Sequence, residues 1–119
     1  MTFLIDTNVI SEPRRRRADA NVVSWFRHTE RESLYISVLT LGELTNGAAR
    51  LARRDAAQGK MLQEWVGATL LGYADRIIPI DVEIAEAWAQ LNAIRPLPVI
   101  DGLLAATALV RGMTFGAVK

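Results

Sequence analysis

Three carboxylates stand out because each lies among apolar residues. Asp6 follows the segment TFLI, Glu43 lies within SVLTLGELTNG, and Asp101 lies within VIDGLLAATALV. An unpaired carboxylate in apolar surroundings is costly, so it must be neutralised, hydrogen-bonded or bound to a cation. We expect all three side chains to point inward, and no Lys or Arg is an obvious buried partner. Together they predict a cation site.

The other residue types narrow the chemistry of this site. Oxygen ligands in a chain without cysteine favour a hard ion, Mg²⁺ or Mn²⁺, over zinc. The one histidine, His28, lies beside Arg27 and is expected on the surface, which excludes a two-histidine acid–base nuclease. The sequence contains no G-x-S-x-G, G-x-x-x-x-G-K-[ST] or G-x-G-x-x-G motif, which argues against serine-triad hydrolases, P-loop enzymes and dinucleotide enzymes.

Each acid also has a purely structural explanation. Asp6 could cap the turn that follows it, and Glu43 could close an S/T-x-x-E capping box with Thr40. Asp101 could favour the start of its helix through the helix dipole. Spacing in the sequence does not show that the three acids meet, so both explanations stay open at this point.

The elements that must position these acids alternate between strand and helix. Strands are predicted at TFLI, LYIS and RIIPI, with a fourth beginning at 113–115; helices are predicted over 21–29, 38–53 and 55–72, after Asp81, and after PLPVIDG. This rhythm indicates an α/β fold with a mostly parallel sheet, in one domain spanning 1–119. Ligands of such sheets bind beyond the carboxyl ends of the strands, where Asp6 lies.

Composition sets further limits. Hydrophobic residues make up 50% of the 119 residues, which is enough to fill a core. No apolar run is long enough to span a membrane, and the start MTFLIDTN has no basic segment typical of a signal peptide. The simplest interpretation is a cytoplasmic protein without a membrane partner.

A run of four arginines, Arg14, Arg15, Arg16 and Arg17, is the clearest local charge feature. One interpretation is a solvated loop. The other is an edge that contacts RNA phosphates, because closely spaced guanidinium groups suit phosphate oxygens. Neither interpretation is favoured by the sequence.

Three segments together resemble a PIN domain, and more narrowly a VapC-type toxin of a bacterial type II toxin–antitoxin pair. These are FLIDTNVISE, ISVLTLGEL and IDGLLAATALVRGMT, and the similarity covers nearly the whole chain. The resemblance implies a three-layer α/β/α fold with a short, mostly parallel central sheet. It implies an endoribonuclease dependent on Mg²⁺ or Mn²⁺, a homodimer, and a cognate antitoxin whose tail lies across the active groove in a toxin–antitoxin hetero-oligomer.

The resemblance also assigns residues to roles. Water would attack the RNA phosphodiester, while a metal held by carboxylates lowers the pKa of that water and neutralises charge on the phosphate. The family's acids match Asp6, Glu43 and Asp101; its polar residues after the first acid match Thr7 and Asn8; its hydroxyl positions near the site match Ser37 and Thr40.

The end of the sequence departs from the family pattern. Family members usually continue past the equivalents of Met113 and Thr114 with a further acid and a last strand, whereas here no acid follows Asp101. The last strand region is therefore interpreted as truncated. The main hypothesis is an active ribonuclease toxin. The alternative is a weakly active or inactive PIN-like protein that retains antitoxin or RNA binding, and a third is a metal phosphodiesterase acting on DNA.

Overall fold

A short sheet lies between two groups of helices in the computed structural model, which describes residues 1–115. The strands are β1 (Phe3–Leu4), β2 (Leu34–Ser37), β3 (Ile77–Ile78) and β4 (Thr114–Phe115). The helices are α1 (Thr7–Ser11), α2 (Ala20–His28), α3 (Val38–Arg54), α4 (Ala56–Gly72), α5 (Val82–Ile94) and α6 (Val99–Arg111). Two 3₁₀ turns cover Glu12–Arg14 and Arg31–Ser33.

The sheet has the strand order β3-β2-β1-β4, and every recorded pairing is parallel. In the register of β1 and β2, Phe3 pairs with Leu34 and Leu4 with Tyr35. The predicted parallel sheet and the fourth strand are confirmed. The predicted strand RIIPI shortens to Ile77–Ile78, because Pro79 has no N–H to extend the ladder.

Two apolar cores lie on opposite faces of the sheet. Successive strand residues point to opposite faces, so Ile5 packs with α3 and α4 residues such as Leu44 and Val66, whereas Leu4 packs with Ile84 and Leu104 of α5 and α6. The layers are therefore α1, α3 and α4, then the sheet, then α5 and α6. This arrangement confirms the predicted three-layer α/β/α fold.

The starts of the helices follow their capping residues. Ser37 caps α3 by accepting a hydrogen bond from Leu39 N at 3.0 Å, which resolves the ambiguous start of this helix. Asp81 caps α5 as predicted, with Ile84 N donating to its Oδ1 at 2.9 Å. By contrast, α6 begins after Pro98 without a side-chain cap.

Arg76 connects three backbone segments near the amino-terminal edge of the sheet. Its guanidinium donates hydrogen bonds to the carbonyl groups of Arg31, Leu34 and Gly72 and lies 5.0 Å from the ring centre of Tyr73. Burial raises the pKa of the Tyr73 hydroxyl above its usual value near 10.0, and the nearby positive charge of Arg76 offsets part of this increase.

Within residues 1–115, no single helix has the length and apolar content needed to cross a membrane. The helices α5 and α6 meet those criteria only when taken together, and they are bent by 119° relative to each other.

Candidate active site

Asp6 lies just beyond the carboxyl end of β1 and begins α1. Its half-buried carboxylate accepts a hydrogen bond from Val9 N at 2.9 Å through Oδ1, so the capping explanation holds for this oxygen. No hydrogen bond from the described residues reaches the second oxygen, Oδ2. Asp6 thus has one carboxylate oxygen that fixes its orientation and another that can bind a ligand.

Glu43 is brought beside this segment by a contact with the residue after Asp6. Thr7 Oγ1 donates to Glu43 Oε1 at 2.6 Å, between two half-buried side chains that are 36 residues apart in sequence. A short hydrogen bond to a carboxylate is stronger than one between neutral groups. The proposed capping box of Thr40 and Glu43 does not form, because Ser37 is the cap of α3.

The two predicted hydroxyl residues are fully buried near the same edge of the sheet. Continuing the β1–β2 register by two residues places Ser37 opposite Asp6. Thr40 lies one turn further along α3, and its Oγ1 is buried without a hydrogen-bond partner among residues 1–115. Asn8, in contrast, is exposed. Ser37 and Thr40 are thus buried at the edge of the sheet where Asp6 lies, whereas Asn8 lies at the surface.

The prediction that Asp101 points inward is wrong. It is exposed in the first turn of α6, together with Val99 and Ile100, and burial begins only at Gly102. Helical spacing does place Asp101 on the face of the buried Leu104, but the first residues of this helix, Val99 to Asp101, are exposed. Periodicity specifies which face is apolar and not how far the neighbouring helix extends along it.

The start of α6 nevertheless lies close to α3. Ile100, which precedes Asp101, lines an open depression of about 530 Å³ together with Glu43. The other residues of this depression are Asn46, Gly47, Arg50 and Arg54. Asp101 is therefore adjacent in sequence to a residue that shares a surface with the second acid.

Asp6 and Glu43 offer carboxylate oxygens to a divalent cation. Among residues 1–115, no group of three acids or histidines is close enough to hold a metal ion. Asp6 and Glu43 each have one carboxylate oxygen without a hydrogen bond from the described residues. Magnesium is commonly held by one or two carboxylates, with water and substrate phosphate completing its shell. The donor chemistry of Asp6 and Glu43 fits Mg²⁺ or Mn²⁺ in this manner.

The arginine run is divided between two surfaces. A groove of about 340 Å³ holds Arg14 and Arg15 together with both partners of the Thr7–Glu43 hydrogen bond. It is also lined by Ser11, Leu44, Gly47, Leu62, Trp65 and Val66, and we call it the α1–α4 groove. Arg16 and Arg17 share a separate depression with Arg15.

Two of the arginines have defined partners. The Arg14 guanidinium lies over the Trp65 ring, 5.0 Å from its centre, and Arg15 Nη1 is 3.4 Å from Glu12 Oε1. Arg14 is thus more than part of a solvated loop, although it is exposed. No local signal in the sequence connects Trp65 with Arg14, so the contact between them could not be predicted. His28 is exposed, as predicted.

The fold and the acids at its carboxyl edge define a known class of protein. The PIN domain family model matches residues 3–115, and the chain belongs to the PIN domain family. The family resemblance predicted from the sequence is thereby confirmed.

Individual relatives specify the resemblance further. The chain is 34% identical over 118 residues to toxin FitB of Neisseria gonorrhoeae, covering 94% of this chain and 84% of that protein. It is 32% identical to VapC ribonuclease Y4jK of Sinorhizobium fredii, covering 92% and 81%. The crystal structure of FitAcB from Neisseria gonorrhoeae superposes with a TM-score of 0.88 at 33% identity, covering 96% and 85%. These relatives confirm the predicted similarity to VapC-like toxins.

Proposed function

We propose that the chain is a divalent-cation-dependent endoribonuclease that acts in the cytoplasm as the toxin of a VapBC-like pair. The observation that carries this proposal is the hydrogen bond from Thr7 to Glu43, which holds the second acid beside the segment that begins with Asp6. The names of the relatives, a toxin and a VapC ribonuclease, support the toxin role and the RNA substrate.

Different residues of the chain have different roles in the proposed hydrolysis of RNA. Asp6 and Glu43 hold the cation, and Asp101 is the third acid, contributed by α6. When bound, Mg²⁺ or Mn²⁺ lowers the pKa of water and neutralises charge on the phosphate. Val9 N–H orients Asp6, and the Thr7 hydroxyl orients Glu43. Carboxylates that are already oriented need less reorganisation when the substrate binds.

Arg14 and Arg15 bind the RNA backbone next to these acids. Both line the α1–α4 groove with Glu43, and Trp65 and Glu12 restrict their side chains before RNA binds. Prior restriction lowers the entropy cost of each phosphate contact. Arg16 and Arg17 add attraction at longer range, which is sensitive to salt.

The α1–α4 groove also suits the tail of a cognate antitoxin. Leu44, Leu62, Trp65 and Val66 give it an apolar wall that ends at Glu43. A tail bound there covers the second acid and excludes RNA. The test is a search for a small protein encoded next to this chain and its co-expression with the chain; such a protein should form a complex with the chain and suppress RNA cleavage. The homodimer stays a prediction.

Cleavage of RNA by the purified chain tests the central proposal. The parent protein, Asp6→Asn and Asp101→Asn are compared with and without Mg²⁺ or Mn²⁺, on single-stranded and structured RNA. The matched control is Asp75→Asn, since Asp75 is an exposed acid that precedes β3 at the opposite edge of the sheet. We expect metal-dependent cleavage by the parent and the control, and a loss of about a hundredfold or more in Asp6→Asn, as is usual when a charge-stabilising group is removed.

Several outcomes would contradict the proposal. Cleavage that persists in a chelator, or full activity of Asp6→Asn, rules out the metal mechanism. Full activity of Asp101→Asn removes this residue from the site. A parent protein that binds RNA but does not cleave it favours the alternative of an inactive PIN-like chain, which is consistent with the lack of a three-acid cluster in residues 1–115.

A further inference from the structure

The corner between α5 and α6 precedes Asp101 and is held by two side chains of α5. Asn92 Oδ1 accepts a hydrogen bond from Leu97 N at 3.3 Å. Trp88 packs directly on the backbone of Gly102, where an added Cβ would lie 3.0 Å from both Cδ1 and Nε1 of the indole. Trp88 and Asn92 are four residues apart and therefore share one face of α5.

The backbone of the corner has few alternative conformations. Pro96 and Pro98 fix their own φ angles, and Gly102 N donates to Pro98 O at 2.9 Å in the first turn of α6. This helix has no side-chain cap at its start, unlike α1 to α5. The contacts from α5 therefore take the place of a cap in ordering the first turn.

The indole of Trp88 is positioned by packing. Its Nε1 is buried and has no hydrogen-bond partner within the described part of the chain. The ring packs against the core formed by α5, α6 and Leu4 and leaves a cavity of only about 20 Å³ next to Asn92 and Gly102. Trp88 is half-buried against this core and contacts Gly102 directly, so the position of Gly102 relative to α5 depends on the indole.

We propose that Trp88 and Asn92 are positioning residues for Asp101. They fix the exposed first turn of α6, and thereby hold the Asp101 carboxylate at a constant position relative to Glu43 for binding the divalent cation. This inference rests on the proposed function, in which Asp101 contributes to the cation site. It explains how an exposed acid that accepts no hydrogen bond from residues 1–115 can serve in a preorganised site.

Two pairs of variants test the inference. Gly102→Ala puts a methyl group against the indole, Trp88→Leu removes the indole, and the double variant restores space for the methyl group. Asn92→Ala removes the acceptor for Leu97 N, and Asn92→Asp retains one. The control is Gly67→Ala in α4, where an added Cβ meets no atom within 4 Å. Mn²⁺ binding is measured by electron paramagnetic resonance without RNA, alongside the Mn²⁺ dependence of cleavage and the melting temperature.

We expect Gly102→Ala to weaken Mn²⁺ binding about tenfold, because a misplacement of about 1 Å, caused by a change far from the reacting groups, can already cost about a hundredfold in rate. The double variant should recover most of this loss, Asn92→Asp should bind Mn²⁺ more tightly than Asn92→Ala, and Gly67→Ala should bind Mn²⁺ with the affinity of the parent. A lower melting temperature with unchanged Mn²⁺ affinity in Gly102→Ala and Asn92→Ala would overturn the inference.

The failure of the inference differs from the failure of the proposed function. If the parent binds Mn²⁺ and cleaves RNA, Asp101→Asn binds Mn²⁺ weakly, and the corner variants behave as the parent, only the positioning role is wrong. If the parent neither binds Mn²⁺ nor cleaves RNA, the proposed function fails and the inference fails with it.

Discussion

The two helix pairs on either side of the sheet supply acids in different ways. Glu43 belongs to the body of α3 and is fixed by a 2.6 Å hydrogen bond to Thr7. Asp101 belongs to the exposed first turn of α6 and accepts no hydrogen bond from residues 1–115. The helices also approach differently: α4 meets α3 through backbone contact at Gly59, whereas α6 meets α5 through the Trp88 ring at Gly102.

In the proposed site, the two acids are therefore held in position in two different ways. The position of Glu43 depends on a direct hydrogen bond and on a helix that is packed along its length. The position of Asp101 depends on what packs against the residue next to it. Changes in the α3–α4 pair should therefore affect stability or the acid directly, and changes in the α5–α6 pair should affect the acid indirectly.

The largest expected effect is that of Gly59→Ala on stability. A Cβ there would lie 2.2 Å from Ala52 Cα and 2.5 Å from Ala52 Cβ, so the backbones of α3 and α4 must separate. We expect a loss of about 3 kcal/mol in the free energy of unfolding in urea, as for overpacked cores. Gly67→Ala in the same helix should gain about 0.5–1 kcal/mol, because its Cβ meets open space. A Gly59→Ala protein as stable as the parent would show that the helix contact is not tight.

The second effect concerns the hydrogen bond that carries the proposed function. Thr7→Val keeps the shape of the side chain but removes the donor to Glu43 Oε1. We expect the cleavage rate at subsaturating Mg²⁺ to fall about tenfold, which corresponds to about 1.4 kcal/mol and is close to the lower end of the range for a hydrogen bond to a charged group. Thr7→Ser retains the donor and should stay close to the parent. Equal activity of both variants would mean that α3 alone orients Glu43.

The third prediction compares an arginine inside the α1–α4 groove with an arginine outside it. Arg14→Gln removes a guanidinium that lies in the α1–α4 groove, and Arg17→Gln removes one that lies outside it. Affinity for single-stranded RNA falls as salt rises, and each phosphate contact makes this fall steeper. If Arg14 binds a phosphate, the plot of log affinity against log salt should be less steep by about 0.7 in Arg14→Gln than in the parent. Arg17→Gln should change the slope less. The same slope in the parent, Arg14→Gln and Arg17→Gln would show that neither arginine contacts the RNA backbone.

The smallest effect is expected at the end of α4, where Tyr73 lies. Its pKa is raised by burial, so the folded state holds the phenolic proton more tightly than the unfolded state does. This contribution is complete below the usual pKa near 10.0 and is lost as the pH rises through the higher folded value. The free energy of unfolding of the parent should therefore decline above pH 10.0 more steeply than that of Tyr73→Phe. Parallel declines in urea titrations would contradict this.

Helices and strands were predicted correctly where the residues that specify them also make the stabilising contacts. Asp81 was predicted to cap α5 and does so, and the helix predicted over 55–72 is observed as Ala56–Gly72. A capping side chain contacts backbone only a few residues away, so its effect is visible in the sequence. The start of α3 was ambiguous because Ser37 and Thr40 both carry suitable hydroxyl groups, and only the structure identifies Ser37 as the cap.

The candidate site was less predictable because its contacts are not local. The sequence by itself determined the parallel α/β order, the place of Asp6 at the end of a strand and a set of candidate ligands without cysteine or paired histidines. Only the tertiary structure decided that Thr7 meets Glu43, that Arg14 lies over Trp65 and that Asp101 is exposed. The physical reason is that periodicity and capping act over one or two helical turns, whereas the packing of one helix on another decides which part of a face is covered.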